Sequence, residues 1–253
     1  TCRADTGGAF DITVAPVVSA WGFAEDAFRV PSQAELEELL EKVDGSAVRA
    51  EPLGEGTYAA SLAPGQSIDL GGIAKGYAAD RLTDVFREYG VPRAMAQLGG
   101  NVLAWGDRPD GTPWRVGIQD PARPGEQDGY IGILNLKNAF AVTSGGYQRY
   151  FEEDGKTYHH IIDPATGYPA DSGLVSVTVV AEAESGNGTM CDALSTALFV
   201  MGKERALEFW RSRPGDFQLV LVTEDGVVWA TEGISEQFSF DAESGYAYHV
   251  AAS

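Results

Sequence analysis

Residues 174–202 read LVSVTVVAEAESGNGTMCDALSTALFVMG, and two kinds of element meet there. Leu174–Ala181, LVSVTVVA, alternates with a period of two and reads as a strand. Met190–Gly202, MCDALSTALFVMG, reads as a buried helix with one offence in it. A carboxylate, Asp192, sits two residues into the apolar run, with Thr196 one helical turn further on. A charge in an apolar helix is costly unless it is paired or holds a metal. Residues i and i+4 share a helix face, so the two side chains can reach one point. Their hard oxygens suit Mg²⁺ or Ca²⁺. The other reading is that Asp192 caps its own helix and Thr196 bonds back to it.

Hairpin signals dominate the rest of the chain. AVRAEPLGEGTYAASL reads as strand, Gly turn and strand, and FQLVLVT–EDG–VVWAT as another hairpin. RAMAQLG, NVLAWG, WRVGIQD, YIGILNL and AFAVTS are strand-like. Gln33–Val43 has the period of a surface helix, and KERALEFWRS follows the Asp192 helix. GGIAKGYAADRLTDVFREYG opens on glycines and shows helical spacing at Ala74, Tyr77, Ala78, Leu82, Val85 and Phe86. It closes on Gly90, a C-cap signal. Hairpins outnumber βαβ signals, so the expected fold is one α+β domain over 1–253 with mostly antiparallel strands.

Bulk properties exclude several roles. The 253 residues carry a formal charge of -19, which repels nucleic acid and anionic membrane. No apolar run is long enough for a transmembrane helix. Cys2 and Cys191 form no CxxC pair and no disulfide framework. There is no signal-like start, and TCRADTGGAF reads as the tail of an element already under way, so the chain is expected to begin mid-domain.

Two further stretches offer chemistry. Asp69–Asp80, DLGGIAKGYAAD, leads a Gly-Gly pair into a helix, presenting free N–H groups and Lys75 to an anion. It lacks Walker A spacing and otherwise reads as a Gly-rich turn with a solvated lysine. Tyr158–Pro169, YHHIIDPATGYP, holds His159 and His160; in an extended segment only one of them faces a site. Such a His serves as acid or base near neutral pH, or is simply a hydrogen-bonded loop residue. Upstream, AVTSGGYQRYF sets Thr143 and Ser144 before two glycines.

Together GGAFDITVAPVVSAWGF, DLGGIAKGYAADRL, QLGGNVLAWG, AVTSGGYQRYF, HIIDPATGYPA and CDALSTALFVMG resemble, in order, the ApbE-type flavin transferases. The resemblance implies an α+β fold that binds FAD and Mg²⁺. It implies attack by a Thr or Ser hydroxyl of an acceptor flavoprotein subunit on the FMN-side phosphate of FAD, with release of AMP. By motif, Asp192, Thr196 and the Gly72 carbonyl are metal ligands and His160 is catalytic. Gly72, Lys75, Thr143, Ser144, His160, Ile161 and Asp163 line the cofactor. Family members are commonly exported in bacteria, which implies an extracytoplasmic site. They also carry a stretch before GGAFD, holding part of the FAD site, and by this resemblance the sequence is expected to lack it. An FAD pyrophosphatase and a non-catalytic FAD-binding module use the same residues and stay open.

Overall fold

The computed structural model describes residues 2–23, 27–184 and 186–253. They divide into two compact units, residues 1–70 with 149–170 and residues 71–148 with 171–253.

The first unit begins with helices α1 (Cys2–Asp5), α2 (Ala15–Ala20) and α3 (Gln33–Leu40). Ser32 caps α3 by accepting from the Glu35 N–H at 3.3 Å. The helix expected over Gln33–Val43 is regular to Leu40, and Lys42 and Val43 follow in tight turns. Leu36 is its buried residue and joins Val17, Trp21, Phe23 and Ile162 in a small core. Strands β1 (Arg49–Gly54) and β2 (Thr57–Ser61) form the expected hairpin, exposed at every position.

The second unit opens with α4 (Ala74–Glu88), followed by β3 (Ala94–Leu98), β4 (Asn101–Trp105), β5 (Trp114–Gln119), β6 (Tyr130–Leu136) and β7 (Ala139–Gly145). The chain then returns to the first unit for a short hairpin, β8 (Tyr150–Glu153) and β9 (Lys156–His159). It re-enters the second with β10 (Leu174–Glu182), α5 (Asn187–Met201), α6 (Lys203–Arg211), β11 (Gln218–Thr223) and β12 (Val227–Thr231). Helix α7 (Glu232–Ser235), β13 (Phe238–Phe240) and β14 (Ala247–Ala251) complete it.

A seven-stranded sheet in the order β14-β12-β11-β10-β7-β4-β3 is the frame of this unit. Every pair in it is antiparallel except β12 with β14, so the expected α+β class holds. A three-stranded sheet, β13-β6-β5, shares a core with it through Val102, Ala104, Ile118, Ile131, Leu134 and Val222. Each fully buried Leu, Ile or Val contributes about 1.5–3 kcal/mol. β10 lies near the middle, and its alternating polar residues, Ser176 and Thr178, are buried rather than wet.

Helix α4 forms over the stretch with helical spacing, but its buried face is the small one. Tyr77 and Val85 are 58% and 44% exposed, while Gly76, Ala79, Asp80 and Thr83 are buried. The cause is the closeness of α5. A Cβ on Gly76 would lie 2.2 Å from the Gly188 carbonyl oxygen, so the face of α4 turned to α5 has to be small. The C-terminus behaves as read: Gly90 adopts φ 60°, and the Val91 N–H reaches the Phe86 carbonyl at 2.8 Å.

Candidate active site

Helix α5 is apolar on nearly every side because β7, β10, α4 and α6 all pack on it. Asp192 is its sixth residue and is only 3% exposed. It is therefore too far into α5 to cap it. Instead its Oδ2 accepts from the Gly76 N–H at 2.9 Å, capping the first turn of α4 from outside. The back-bond within α5 comes from Ser195, whose Oγ donates to the Asp192 carbonyl at 2.9 Å, and not from Thr196. Asp192 Oδ1 makes no hydrogen bond among the described residues. The Lys75 ammonium stands 3.9 Å from it and donates to the Gly71 carbonyl at 3.2 Å.

Thr196 shares this face of α5. Its Oγ1 lies 3.3 Å from Ser144 Oγ, which also meets Ser195 Oγ at 2.8 Å. Thr143 and Ser144 are neighbours on β7 and point to opposite sides of the sheet. Ser144 meets α5, whereas Thr143 Oγ1 meets Thr178 Oγ1 of β10 at 2.8 Å. The structure thus gathers Asp192, Thr196, Ser144 and Lys75, and turns the Thr143 side chain away from them. Gly72 lies in the turn that leads into α4.

The donor set fits a hard divalent ion. Among the described residues, no three His, Cys, Asp or Glu side chains come close enough to hold a metal. An ion here is met instead by one carboxylate and by hydroxyl and carbonyl oxygens, the ligands of an ion such as Mg²⁺ that keeps several waters. A cationic group, the Lys75 ammonium, already sits between a carboxylate and a carbonyl. One residue escaped the sequence reading. Asn101, in the LGGN turn, is 1% exposed, and among the described residues neither its Oδ1 nor its Nδ2 has a partner. A buried amide left open at both ends is costly. Gly99 of the same turn comes near Lys75, whose Cδ would be 3.7 Å from a Cβ there.

In the first unit the two histidines have different tasks. His159 ends β9. Its Nε2 lies 3.1 Å from the Ala170 carbonyl, and its Nδ1 accepts from the Ile161 N–H at 3.2 Å. Both ring nitrogens hold backbone. In His160 the backbone N–H and Nδ1 each lie 3.1 Å from the Arg149 carbonyl. A carbonyl only accepts, so Nδ1 carries the proton and a neutral ring has its lone pair on Nε2. Ile161 is 4% exposed, and its carbonyl is taken by the Ala170 N–H at 2.9 Å. Asp163 folds the DPATG turn, its Oδ1 accepting from the Ala165 N–H at 2.9 Å. Trp21, from the WGF stretch, donates to the Gly167 carbonyl at 2.8 Å and ties that turn down.

Asp11 of DITV is a third buried carboxylate. It accepts from Thr13 N and Oγ1 at 2.9 and 2.6 Å, from Gly45 N at 2.9 Å and from Arg3 Nε at 2.6 Å. Burial pushes its pKa up, but these donors outweigh it and hold the carboxyl below its ordinary value. Cys2 and Cys191 are not joined in a disulfide. Burial, with Asp80 and Asp192 nearby, raises Cys191 far above the ordinary thiol range and leaves it inert.

A profile of the ApbE family matches residues 1–221, and the chain belongs to that family. The FAD:protein FMN transferase of Haemophilus influenzae is 35% identical over 226 residues, covering 88% of this chain and 64% of that protein. Its counterpart in Treponema pallidum is 35% identical over 243 residues, covering 92% and 65%. The chain thus spans a little under two thirds of either relative. The crystal structure of the ApbE protein from Thermotoga maritima matches with a TM-score of 0.80 at 37% identity, over 93% of this chain and 74% of that one.

Proposed function

We propose that this chain, acting as one domain over 1–253, transfers FMN from FAD to a Thr or Ser hydroxyl of an acceptor flavoprotein, releasing AMP. The observation that carries the reading is Asp192. In a chain of this family, whose relatives are named FAD:protein FMN transferases, its buried carboxylate keeps one oxygen uncommitted beside Thr196 and Lys75. Asp192, Thr196 and the Gly72 carbonyl would hold Mg²⁺. Bound there, it would supply positive charge against the pyrophosphate, which a chain of charge -19 otherwise repels, and against the charge that develops on transfer. Lys75 gives up Asp192 for a phosphate oxygen, and Ser144 orients Thr196. Ile161 and Asp163 shape the loop that presents His160 to the cofactor, and the Thr143 backbone supports the neighbouring Ser144.

His160 takes the acceptor's proton. Its Nδ1–H is fixed on the Arg149 carbonyl, so Nε2 receives the hydroxyl proton as that oxygen bonds to the FMN phosphorus. The anhydride P–O bond breaks, and its electron pair leaves with AMP. No helix among the described residues is long and apolar enough to cross a membrane, and we place the action outside the cytoplasm by family resemblance. The test is incubation with FAD, Mg²⁺ and a flavoprotein subunit of a membrane redox pump, read by intact mass and AMP release. An FMN-sized gain on the acceptor, matched by AMP, is expected. Free FMN and AMP with no adduct makes the protein a pyrophosphatase, and bound FAD that never turns over makes it a binding module.

A further inference from the structure

Helices α4 and α5 carry the same short pattern, a glycine followed four residues later by an aspartate. It reads GYAAD at Gly76–Asp80 and GTMCD at Gly188–Asp192. In the structure the two copies exchange carboxylates. Asp192 of α5 accepts from the Gly76 N–H of α4 at 2.9 Å. Asp80 of α4 accepts from Gly188 N at 2.8 Å, Thr189 N at 2.9 Å and Thr189 Oγ1 at 2.6 Å, all on α5. Among the described residues neither helix has a side-chain cap of its own, since Ile73 and Gly186 stand at their N-cap positions. Each therefore has orphan N–H groups that the other fills.

The glycines make the exchange possible. A Cβ on Gly76 would lie 2.7 Å from Asp192 Cβ, and one on Gly188 would lie 2.8 Å from Asp80 Oδ1 and 2.7 Å from the Gly76 carbonyl oxygen. The two aspartates are not equivalent, however. Asp80 is 5% exposed, with both oxygens filled by α5. Among the described residues Asp192 is hydrogen-bonded on Oδ2 alone, with the Lys75 ammonium 3.9 Å from Oδ1.

We propose that Asp80 is a positioning residue for the metal site. Its bonds to the first turn of α5 fix that helix, one turn before Asp192, against the turn of α4 that carries Lys75. This sets where the open Asp192 oxygen lies relative to Thr196 and the Gly-rich turn. The inference rests on the metal reading of the proposed function, and the controls separate the two.

The experiment is Mn²⁺ titration of the full chain, followed by electron paramagnetic resonance of the free ion, alongside thermal melts. Outer partners of metal ligands typically cost about 10–100-fold in affinity when removed, and Asp80→Asn should weaken Mn²⁺ by that much. Asp11→Asn, which disturbs an equally buried carboxylate in the first unit, should lower the melting temperature and leave Mn²⁺ affinity unchanged. Should Asp80→Asn not fold, Thr189 decides: Thr189→Ala should weaken Mn²⁺ by a smaller factor, and Thr189→Ser should restore it. Wild-type affinity in a folded Asp80→Asn, or in Thr189→Ala where Asp80→Asn does not fold, overturns the positioning role while loss of binding in Asp192→Ala keeps the metal reading. Wild-type affinity in Asp192→Ala, or no Mn²⁺ binding by the wild type, overturns both.

Discussion

Asp11 in the first unit and Asp192 in the second are both buried carboxylates, yet only one of them is unfinished. Asp11 collects four donors and ties Arg3, Thr13 and Gly45 into one knot. Asp192 has one donor, the Gly76 N–H, and a lysine at 3.9 Å. The contrast teaches that burial alone does not mark function. A saturated carboxylate holds the fold together, and one that keeps open lone pairs next to hydroxyls and a cationic group is poised for a ligand. His159 and His160 also differ in their partners: both ring nitrogens of the first meet backbone at Ala170 and Ile161, and Nδ1 of the second meets the Arg149 carbonyl.

The largest effect is expected at the open carboxylate. Asp192→Ala should abolish Mg²⁺-dependent AMP release from FAD and leave far-UV circular dichroism unchanged, because the change also removes a buried charge. Full activity with unaltered metal dependence would erase the difference between the two aspartates. Next comes the histidine pair. General base catalysis contributes about 10²–10⁴-fold, so His160→Ala should lose that much in turnover while still binding FAD. His159→Ala should lower the melting temperature and spare turnover in the protein that remains folded. If His159 proves the essential one, the roles drawn from their hydrogen bonds are reversed.

The smallest effect concerns acid. The Asp11 carboxyl titrates below its ordinary value of 3.8 when folded. Its stabilisation is then complete above about pH 4 and is lost as the pH falls through the lower, folded value. Melts from pH 5 to pH 2.5 should show a steeper fall for wild type than for Asp11→Asn. Parallel curves would mean that the Asp11 knot contributes nothing that depends on its charge.

Much of this was legible in the residues. The hairpins and the Asp192 helix announce themselves by period, and Asp192 by its misfit among apolar neighbours. Asp80 did not stand out, because a carboxylate on a helix with exposed charges looks solvated. Only the glycine four residues before it, matched by the same spacing before Asp192, hints that it faces another helix. The helical spacing of Tyr77 and Val85 marks the helix but not its buried face, because the close approach at Gly76 turns the small residues inward. The β8–β9 hairpin has strands of only four residues, YFEE and KTYH, too short for an alternating pattern to reveal it. The β12–β14 pair is parallel and needs a crossover, which local sequence does not signal. His160 stood out from His159 only through its motif, since the bonds that separate them reach back to Arg149 and forward to Ala170.

The account turns on what completes the Asp192 carboxylate, and that can be seen directly. Crystals of the full chain soaked in Mn²⁺ and measured at the manganese edge would locate the ion by anomalous difference density. A peak about 2.0–2.2 Å from Asp192 Oδ1, Thr196 Oγ1 and the Gly72 carbonyl, with Lys75 displaced from the carboxylate, is the result predicted. Density confined to surface carboxylates, with Lys75 still beside Asp192, would contradict it.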